Sequence, residues 1–284
     1  MAAAGAGMDR AYLEHYREHG YAVVRGAFAA PQVAELAGAF DRLYAQGLAH
    51  ARSFRHRNVL FRVAEDQKVG RVVRMVQWPS YIEPVLARYR TDPRLLAILA
   101  PLLGRDLKQI INQMHWKTPG SESGEFGYHQ DIRFRRPREA YREPATSYVQ
   151  TGIAIDPHHA GNGAMTILPG SHRRGELRFT AEGRVMDRAL SDADLQALGL
   201  DPAAKVDLCL EPGDVALWHL HTVHGSGPNR SAGDRRFYLN GYVTAANCDR
   251  GEWAFRDGEP CALGEPQLVH YDDLHTRPEP HYVD

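Results

Sequence analysis

The chain has 284 residues, 43% hydrophobic and 24% charged, the composition of an ordinary globular protein able to bury a substantial core. Its formal net charge of −1 leaves no global basic field for nucleic acid or an anionic membrane, and no apolar run approaches the ~18 residues of a membrane span. Three scattered cysteines, Cys209, Cys248 and Cys261, form neither a disulfide framework nor a C-x-x-C zinc knuckle, which points to a reducing compartment.

The opening MAAAGAGM has no charged n-region and no Leu-rich stretch, so residues 1–8 read as a disordered start and the protein as cytoplasmic. Ala11 to His19 has helical composition and stops at Gly20, and Tyr21 to Val24 is a short apolar strand. Ala30 to Ala45 carries apolar residues at helical spacing, with Pro31 suited to a first turn. Pro93 to Leu103 is a further helix, bounded or interrupted by Pro101. The part 9–104 is therefore expected to be mainly helical.

After Gly104 the texture changes. Leu107 to Trp116, Ser147 to Asp156, Ala164 to Leu168, Val206 to Leu210, Val215 to Trp218 and Arg236 to Thr244 are β-rich runs separated by Gly, Pro, Asn and Asp. They predict a double-sheet β-roll over 105–245 with helices packed outside it, and a C-terminal extension over 246–284, all in one domain covering 9–284. Two long stretches interrupt the strands: Ile132 to Ala145, and His172 to Ala204 with a helix at Asp192 to Leu198. Loops of that length on a β-scaffold tend to carry function.

His129 and Asp131 form an H-x-D at or just after a strand. Alternation turns both to one face, about 6–7 Å apart along the backbone, so both can reach one metal. Taken alone, the pair is weak evidence and reads first as two polar residues at a strand end. Among 15 histidines, His158 and His159 beside Gly161-Asn162-Gly163 look like turn residues, and His219 and His221 look like packing groups. His224 differs because Gly225 and Ser226 follow it, then Arg235 eleven positions on. Two histidines and one carboxylate suit an open Fe(II) site better than a closed tetrahedral zinc site. Arg235 and Arg236 compete as the anion partner. Arg235, Phe237, Leu239 and Gly241 share the face that reads as interior, while Arg236, Tyr238, Asn240 and Tyr242 read as solvated or rim. A buried arginine needs an anion, which favours Arg235 with Ser226 as holders of a carboxylate.

At this point a family resemblance becomes legible. Y-H-Q-D at 128–131, N-G-A-M-T-I-L-P-G-S-H at 162–172, E-P-G-D-V at 211–215 and H-G-S-G-P-N at 224–229 resemble the phytanoyl-CoA dioxygenase family over about Asp106 to Val243. The resemblance implies a mainly β fold with flanking helices and a double-stranded β-helix (jelly-roll, cupin-like) core. It also implies Fe(II), 2-oxoglutarate and O2 as cofactor and co-substrates, with succinate and CO2 released as a small-molecule metabolite is hydroxylated. It makes His129, Asp131 and His224 the iron ligands, and Arg235 and Ser226 the partners of the distal 2-oxoglutarate carboxylate. Lys117, in W-K-T-P-G, resembles a lysine that reaches 2-oxoglutarate in some members; the alternative is a solvent-facing strand end. Met114 falls where relatives line the same pocket, and Gln77 resembles a polar position facing the site.

Two further expectations concern the substrate. Many relatives have a tryptophan where Gly152 stands, and with Tyr148, Gln150 and Ala154 also inward this predicts space for a larger substrate or for a lid residue. The run Ile132 to Arg138 holds four arginines in six residues, so Arg133 and Arg135 could grip an anionic substrate, or the run is a solvated loop balanced by Glu139 and Glu143. Asp131 argues against halogenation, since related iron halogenases have a small residue there; desaturation, epoxidation and ring closure stay open. A non-catalytic small-molecule-binding β-barrel is the alternative of a different class, and nothing in the sequence sets the oligomeric state.

Overall fold

The computed structural model describes residues 10–122, 124–179, 185, 191–266 and 280–283, so the expectation for residues 1–8 lies outside the described residues. In chain order the elements are α1 (Ala11–His19), β1 (Tyr21–Val24), α2 (Ala30–Leu48), β2 (Phe54–His56), β3 (Val59–Asp66), β4 (Gly70–Gln77), α3 (Pro84–Tyr89) and α4 (Pro93–Leu103). There follow β5 (Leu107–Lys117), β6 (Phe126–His129), β7 (Tyr148–Ala154), β8 (Met165–Ile167), α5 (Asp192–Ala197), β9 (Val206–Asp207), β10 (Val215–His219) and β11 (His224–Ser226). The chain closes with β12 (Arg235–Thr244), β13 (Glu252–Arg256), β14 (Glu259–Pro260) and β15 (His281–Tyr282).

Two antiparallel sheets face each other. The larger runs β1-β10-β7-β12-β5-β4-β3-β2-β15, with β13 on β5, and the smaller runs β6-β11-β8-β9. Ala154, Met165, Ile167, Leu208, Ala216, Trp218 and Phe237 meet between them and close the roll. The architecture is the jelly roll expected from the strand pattern.

The part before Gly104 is less helical than expected. β2, β3 and β4 extend the larger sheet through the pairing of β4 with β5. The β3–β4 hairpin is closed by Asp66, whose Oδ1 accepts from the N–H groups of Lys68 (2.9 Å) and Val69 (3.2 Å), with Gly70 at φ 76°. This short-range turn chemistry escaped a reading keyed to apolar helical spacing.

Helices α2, α3 and α4 cover the outer face of the larger sheet. Gln32 accepts from Ala29 N–H at 2.8 Å at the start of α2, and Asp92 caps α4 by accepting from Arg94 N–H at 2.9 Å. α2 buries Val33, Leu36, Ala39, Phe40 and Leu43 into one core with Met114, Trp116, Tyr238 and Tyr242 of the sheet. The face of β12 expected to be solvated is thus the most buried: Tyr238, Asn240 and Tyr242 are fully enclosed. The helices seal this face, while the opposite face of the strand, with Arg235, Phe237 and Leu239, lines the cavity between the sheets. Asn240 is half satisfied there: its Oδ1 accepts from Gln109 (2.6 Å) and Asn112 (2.9 Å), while its amide nitrogen is buried without a hydrogen-bond partner. Among the described residues no helix is long and apolar enough to cross a membrane.

A candidate metal centre and its anion pocket

The candidate site opens where the smaller sheet meets the inner face of the larger one. His129 ends β6, and Asp131 begins the 3-10 turn that follows. His224 starts β11 and pairs directly with His129 across the strands. Asp131 Oδ1 lies 3.7 Å from His129 Nε2 and 3.8 Å from His224 Nε2. All three side chains are buried, and one ligand atom from each lies within 4.8 Å of the others.

The remaining ring nitrogens set the tautomers. His129 Nδ1 is 2.8 Å from Gly127 O, and His224 Nδ1 is 3.0 Å from Thr222 O. A carbonyl can only accept, so both Nδ1 atoms carry the proton and both Nε2 lone pairs face the gap. Burial, then the neighbouring His129, lowers the His224 pKa to about 4, so its imidazole is neutral and ready to ligate at pH 7. Burial disfavours the Asp131 anion, but His224, His129 and Arg135 outweigh it and hold the carboxyl well below its ordinary range. Two neutral imidazoles and one carboxylate on one side of a cavity fit a divalent iron and leave its other positions open.

Trp218 was missed as a site residue. Its indole Nε1–H donates to Asp131 Oδ2 at 2.9 Å, fixing the carboxylate so that Oδ1 points at the imidazoles. The phase of β10 would have revealed it, because Trp218 shares the inner face with Ala216. Trp218→Phe is expected to weaken Fe(II) binding about 10- to 100-fold, the usual worth of a partner behind a metal ligand. Anaerobic titration with Fe(II) measures this, and unchanged affinity would show that packing alone orients Asp131.

The predicted anion-binding residues converge a few residues away. Arg235 and Lys117 pair directly across β12 and β5, on the inner face. Lys117 is 2% exposed, so it is no solvent-facing strand end; its Nζ donates to Ser226 Oγ at 2.7 Å and to Gly227 O. Arg235 is 4% exposed and donates through Nε (3.2 Å) and Nη2 (2.7 Å) to Gly163 O. The N-G turn is needed for that contact: Gly163 has φ 72°, and a Cβ there would sit 2.4 Å from Gly227 O. Asn229 of H-G-S-G-P-N donates to Lys117 O at 2.7 Å and Gly233 O at 2.8 Å, tying the same strands together. Burial lowers the Arg235 pKa to about 9; burial, then Arg235, pushes Lys117 well below its ordinary value. Two desolvated cations side by side, with hydroxyl and carbonyl partners rather than a carboxylate, form a pocket for an anion. His115, also on this wall, is brought down to about 3 by burial, then Arg235 and Lys117, and so adds no third charge. Arg236 has another task, pairing with Asp156 and Asp41.

Other expected residues fall as follows. Gln77, Gln150, Arg133 and Arg135 line the same cavity as the triad. Met114 does not: β5 alternation turns Gln113 and His115 to the cavity and buries Met114 under the helices with Tyr238. His158, read as a turn residue, is buried with Nε2 3.3 Å from Arg236 O and its ring 4.7 Å from Phe237.

Gly152 also departs from expectation. It opens no room for substrate or lid, because the Phe237 ring lies over it: a Cβ on Gly152 would be 2.1 Å from Phe237 Cζ. That ring stacks on Trp218, with centroids 6.2 Å apart, and so backs the indole that holds Asp131. Gly152→Ala is expected to cost about 1–3 kcal/mol of stability by overpacking, with Phe237→Leu restoring part of it. Urea denaturation of the two variants checks this; full stability of Gly152→Ala would mean that the ring moves aside freely.

Comparison with known proteins agrees with this geometry. The family model described as phytanoyl-CoA dioxygenase (PhyH) matches residues 16–237. A probable α-ketoglutarate-dependent hypophosphite dioxygenase of Stutzerimonas stutzeri is 27% identical over 234 residues, 81% of this chain and 77% of that protein. The peroxisomal phytanoyl-CoA dioxygenase of Bos taurus is 25% identical over 241 residues, 82% of this chain and 67% of that protein. The crystal structure of EctD from S. alaskensis with 2-oxoglutarate and 5-hydroxyectoine shares the fold, with a TM-score of 0.63 at 21% identity over 94% of this chain and 92% of that one. Fold, buried His-Asp-His group and family match coincide, and the chain belongs to the phytanoyl-CoA dioxygenase family of 2-oxoglutarate-dependent non-haem iron dioxygenases.

Proposed function

We propose that this enzyme hydroxylates an unactivated C–H bond of a small-molecule metabolite, coupled to conversion of 2-oxoglutarate to succinate and CO2. The observation that carries the reading is the pairing of the His129–Asp131–His224 group with the buried Arg235–Lys117 cations in one connected site. When bound, iron with 2-oxoglutarate and O2 supplies the oxidising power.

The chain's own residues supply placement. His129, Asp131 and His224 hold the metal on one side, and Trp218 keeps the carboxylate turned toward it. Arg235 offers a planar fork for the far carboxylate of 2-oxoglutarate, while Lys117 and Ser226 complete the cradle. Phe126, Met165, Trp218 and Phe237 line the cavity near the metal group, and their apolar faces exclude water from the reacting atoms. Asp131 fills the position where the resembling halogenases leave room for chloride, which favours transfer of oxygen.

The test is a screen of candidate metabolites for Fe(II)-dependent succinate release, with mass spectrometry of the products under isotopically labelled O2. A product that gains one labelled oxygen atom supports hydroxylation. A product that loses two hydrogens without gaining oxygen replaces it with desaturation or ring closure. Iron binding without succinate from any candidate favours a non-catalytic binder.

A further inference from the structure

The cavity beside the metal group has a volume of about 880 Å³, toward the upper end of the roughly 300–1,000 Å³ of small-molecule sites. Its described lining includes seven arginines, and only one carboxylate, Asp131, which belongs to the metal group. In a chain of net charge −1 this is a marked local concentration of positive charge.

One of these arginines stands out. Arg135 follows the 3-10 turn that presents Asp131, and its N–H donates to Ile132 O at 3.0 Å. Its side chain enters the protein and is 5% exposed. The guanidinium lies 5.5 Å from the centroid of the Tyr148 ring, and its Nε has no hydrogen-bond partner. Tyr141 accepts a side-chain hydrogen bond from the guanidinium and the Asp131 carboxylate acts on it electrostatically, but among the described residues no ion pair brings a carboxylate into direct contact with it. The Asp131 oxygens are engaged elsewhere, Oδ2 by Trp218 and Oδ1 by the imidazole pair. Beside it, Tyr148 O–H donates to Gln150 Oε1, which leaves the Gln150 amide nitrogen as a second donor on the cavity wall. A buried guanidinium with an unsatisfied donor is costly unless an anion completes it.

This donor pair is separate from the Arg235–Lys117 pocket. Gln150 is the cross-strand neighbour of Gly241, six residues along β12 from Arg235 and so about 20 Å along the strand backbone. A single 2-oxoglutarate therefore cannot satisfy both ends. The cavity wall also carries Ile110, Ile111, Phe134 and Leu239, surfaces suited to an apolar body.

We propose that Arg135, with the Gln150 amide, binds an oxyanion group of the primary substrate, so that the molecule oxidised is an organic acid with an apolar body and a carboxylate or phosphonate head. The head is held by the planar fork on the Asp131 side of the metal, which leaves a carbon of the body to face the iron. This deepens the oxygenase reading and rests on it.

The experiment is anaerobic calorimetry on the Fe(II)- and 2-oxoglutarate-loaded enzyme, titrated with octanoate, octylphosphonate and octanamide. Saturation with 2-oxoglutarate blocks the Arg235–Lys117 pocket beforehand. Both acids are expected to bind and the amide is not. Arg135→Gln should weaken the acids about tenfold or more, the worth of a charge-assisted bidentate contact, while 2-oxoglutarate affinity stays within about threefold. Retained 2-oxoglutarate binding also shows that the variant is folded; if it is lost, Arg135→Lys is tested, which keeps the charge without the fork and should give intermediate acid affinity. Equal binding of octanamide, acid binding indifferent to both Arg135 variants, or no binding of either acid would overturn the proposal. Failure of the oxygenase reading is distinguishable, because wild-type enzyme would then bind no 2-oxoglutarate at all.

Discussion

Asp131→Ala is expected to abolish succinate formation and to weaken Fe(II) binding by more than about 100-fold, since even partners behind a ligand are worth 10- to 100-fold. The change removes the one anion that, among the described residues, faces His129 and His224, and with it the charge that a dication needs in a buried site. It also leaves the Trp218 Nε1–H without its acceptor inside the roll. Asp131→Asn separates the two losses: an amide oxygen can still accept from Trp218, but the charge is gone. Anaerobic Fe(II) titration of both variants, with circular dichroism as the control for folding, gives the comparison. Turnover surviving in Asp131→Ala would mean that the metal is held elsewhere.

Arg235→Ala has the second large expected effect. Truncating one partner of a buried charge pair costs about 2–5 kcal/mol, so 2-oxoglutarate affinity should fall by roughly 30- to several thousand-fold. Arg235→Lys should recover only part of it, because an ammonium cannot offer the planar fork. A KM for 2-oxoglutarate unchanged in Arg235→Ala would remove the residue from the site.

The same cluster makes a prediction for the ligand-free protein. The Lys117 pKa in the fold lies well below its ordinary value of 10.5, because of burial and then Arg235. Between those two values the unfolded chain binds a proton that the folded chain lacks, so stability contributed by this group rises with pH through that window. Below the depressed pKa the folded protein must hold two adjacent buried cations, and stability is lowest. Lys117→Met should therefore stabilise the ligand-free protein at neutral pH and flatten its pH dependence. Thermal denaturation across pH, with and without 2-oxoglutarate, measures this. A less stable Lys117→Met at neutral pH would show that the bonds to Ser226 and Gly227 outweigh the repulsion.

The legibility of the site differed residue by residue. His129 and Asp131 were ambiguous as a pair, and His224 with Ser226 and Arg235 resolved them because strand alternation has a fixed period that survives folding. The same phase argument separated Arg235 from Arg236. It also held the information that Trp218 faces inward with Ala216 and that Met114 faces outward, opposite Gln113 and His115. Met114 was placed by resemblance instead, and the structure moves it to the helix-covered core.

Other features could not be read from local pattern. Period-2 alternation says which residues share a face, but not which face is covered, and by what. Tyr238, Asn240 and Tyr242 look polar enough for solvent, yet α2, α3 and α4 seal them in. Gly152 looks like an opening until the ring of Phe237, one strand over, is seen to fill it. Arg135 sits in a run of four arginines that reads equally well as a solvated loop; only the burial of its guanidinium sets it apart from its neighbours.

By itself, then, the sequence determined the jelly-roll class and singled out the candidate metal group and the buried arginine proposed for the co-substrate, because these depend on residue type, spacing and strand phase. Tertiary structure alone decided which space is open and which buried guanidinium keeps a donor without a partner. Those properties arise where distant strands and loops meet, and no local spacing encodes the desolvation that makes an arginine seek an anion.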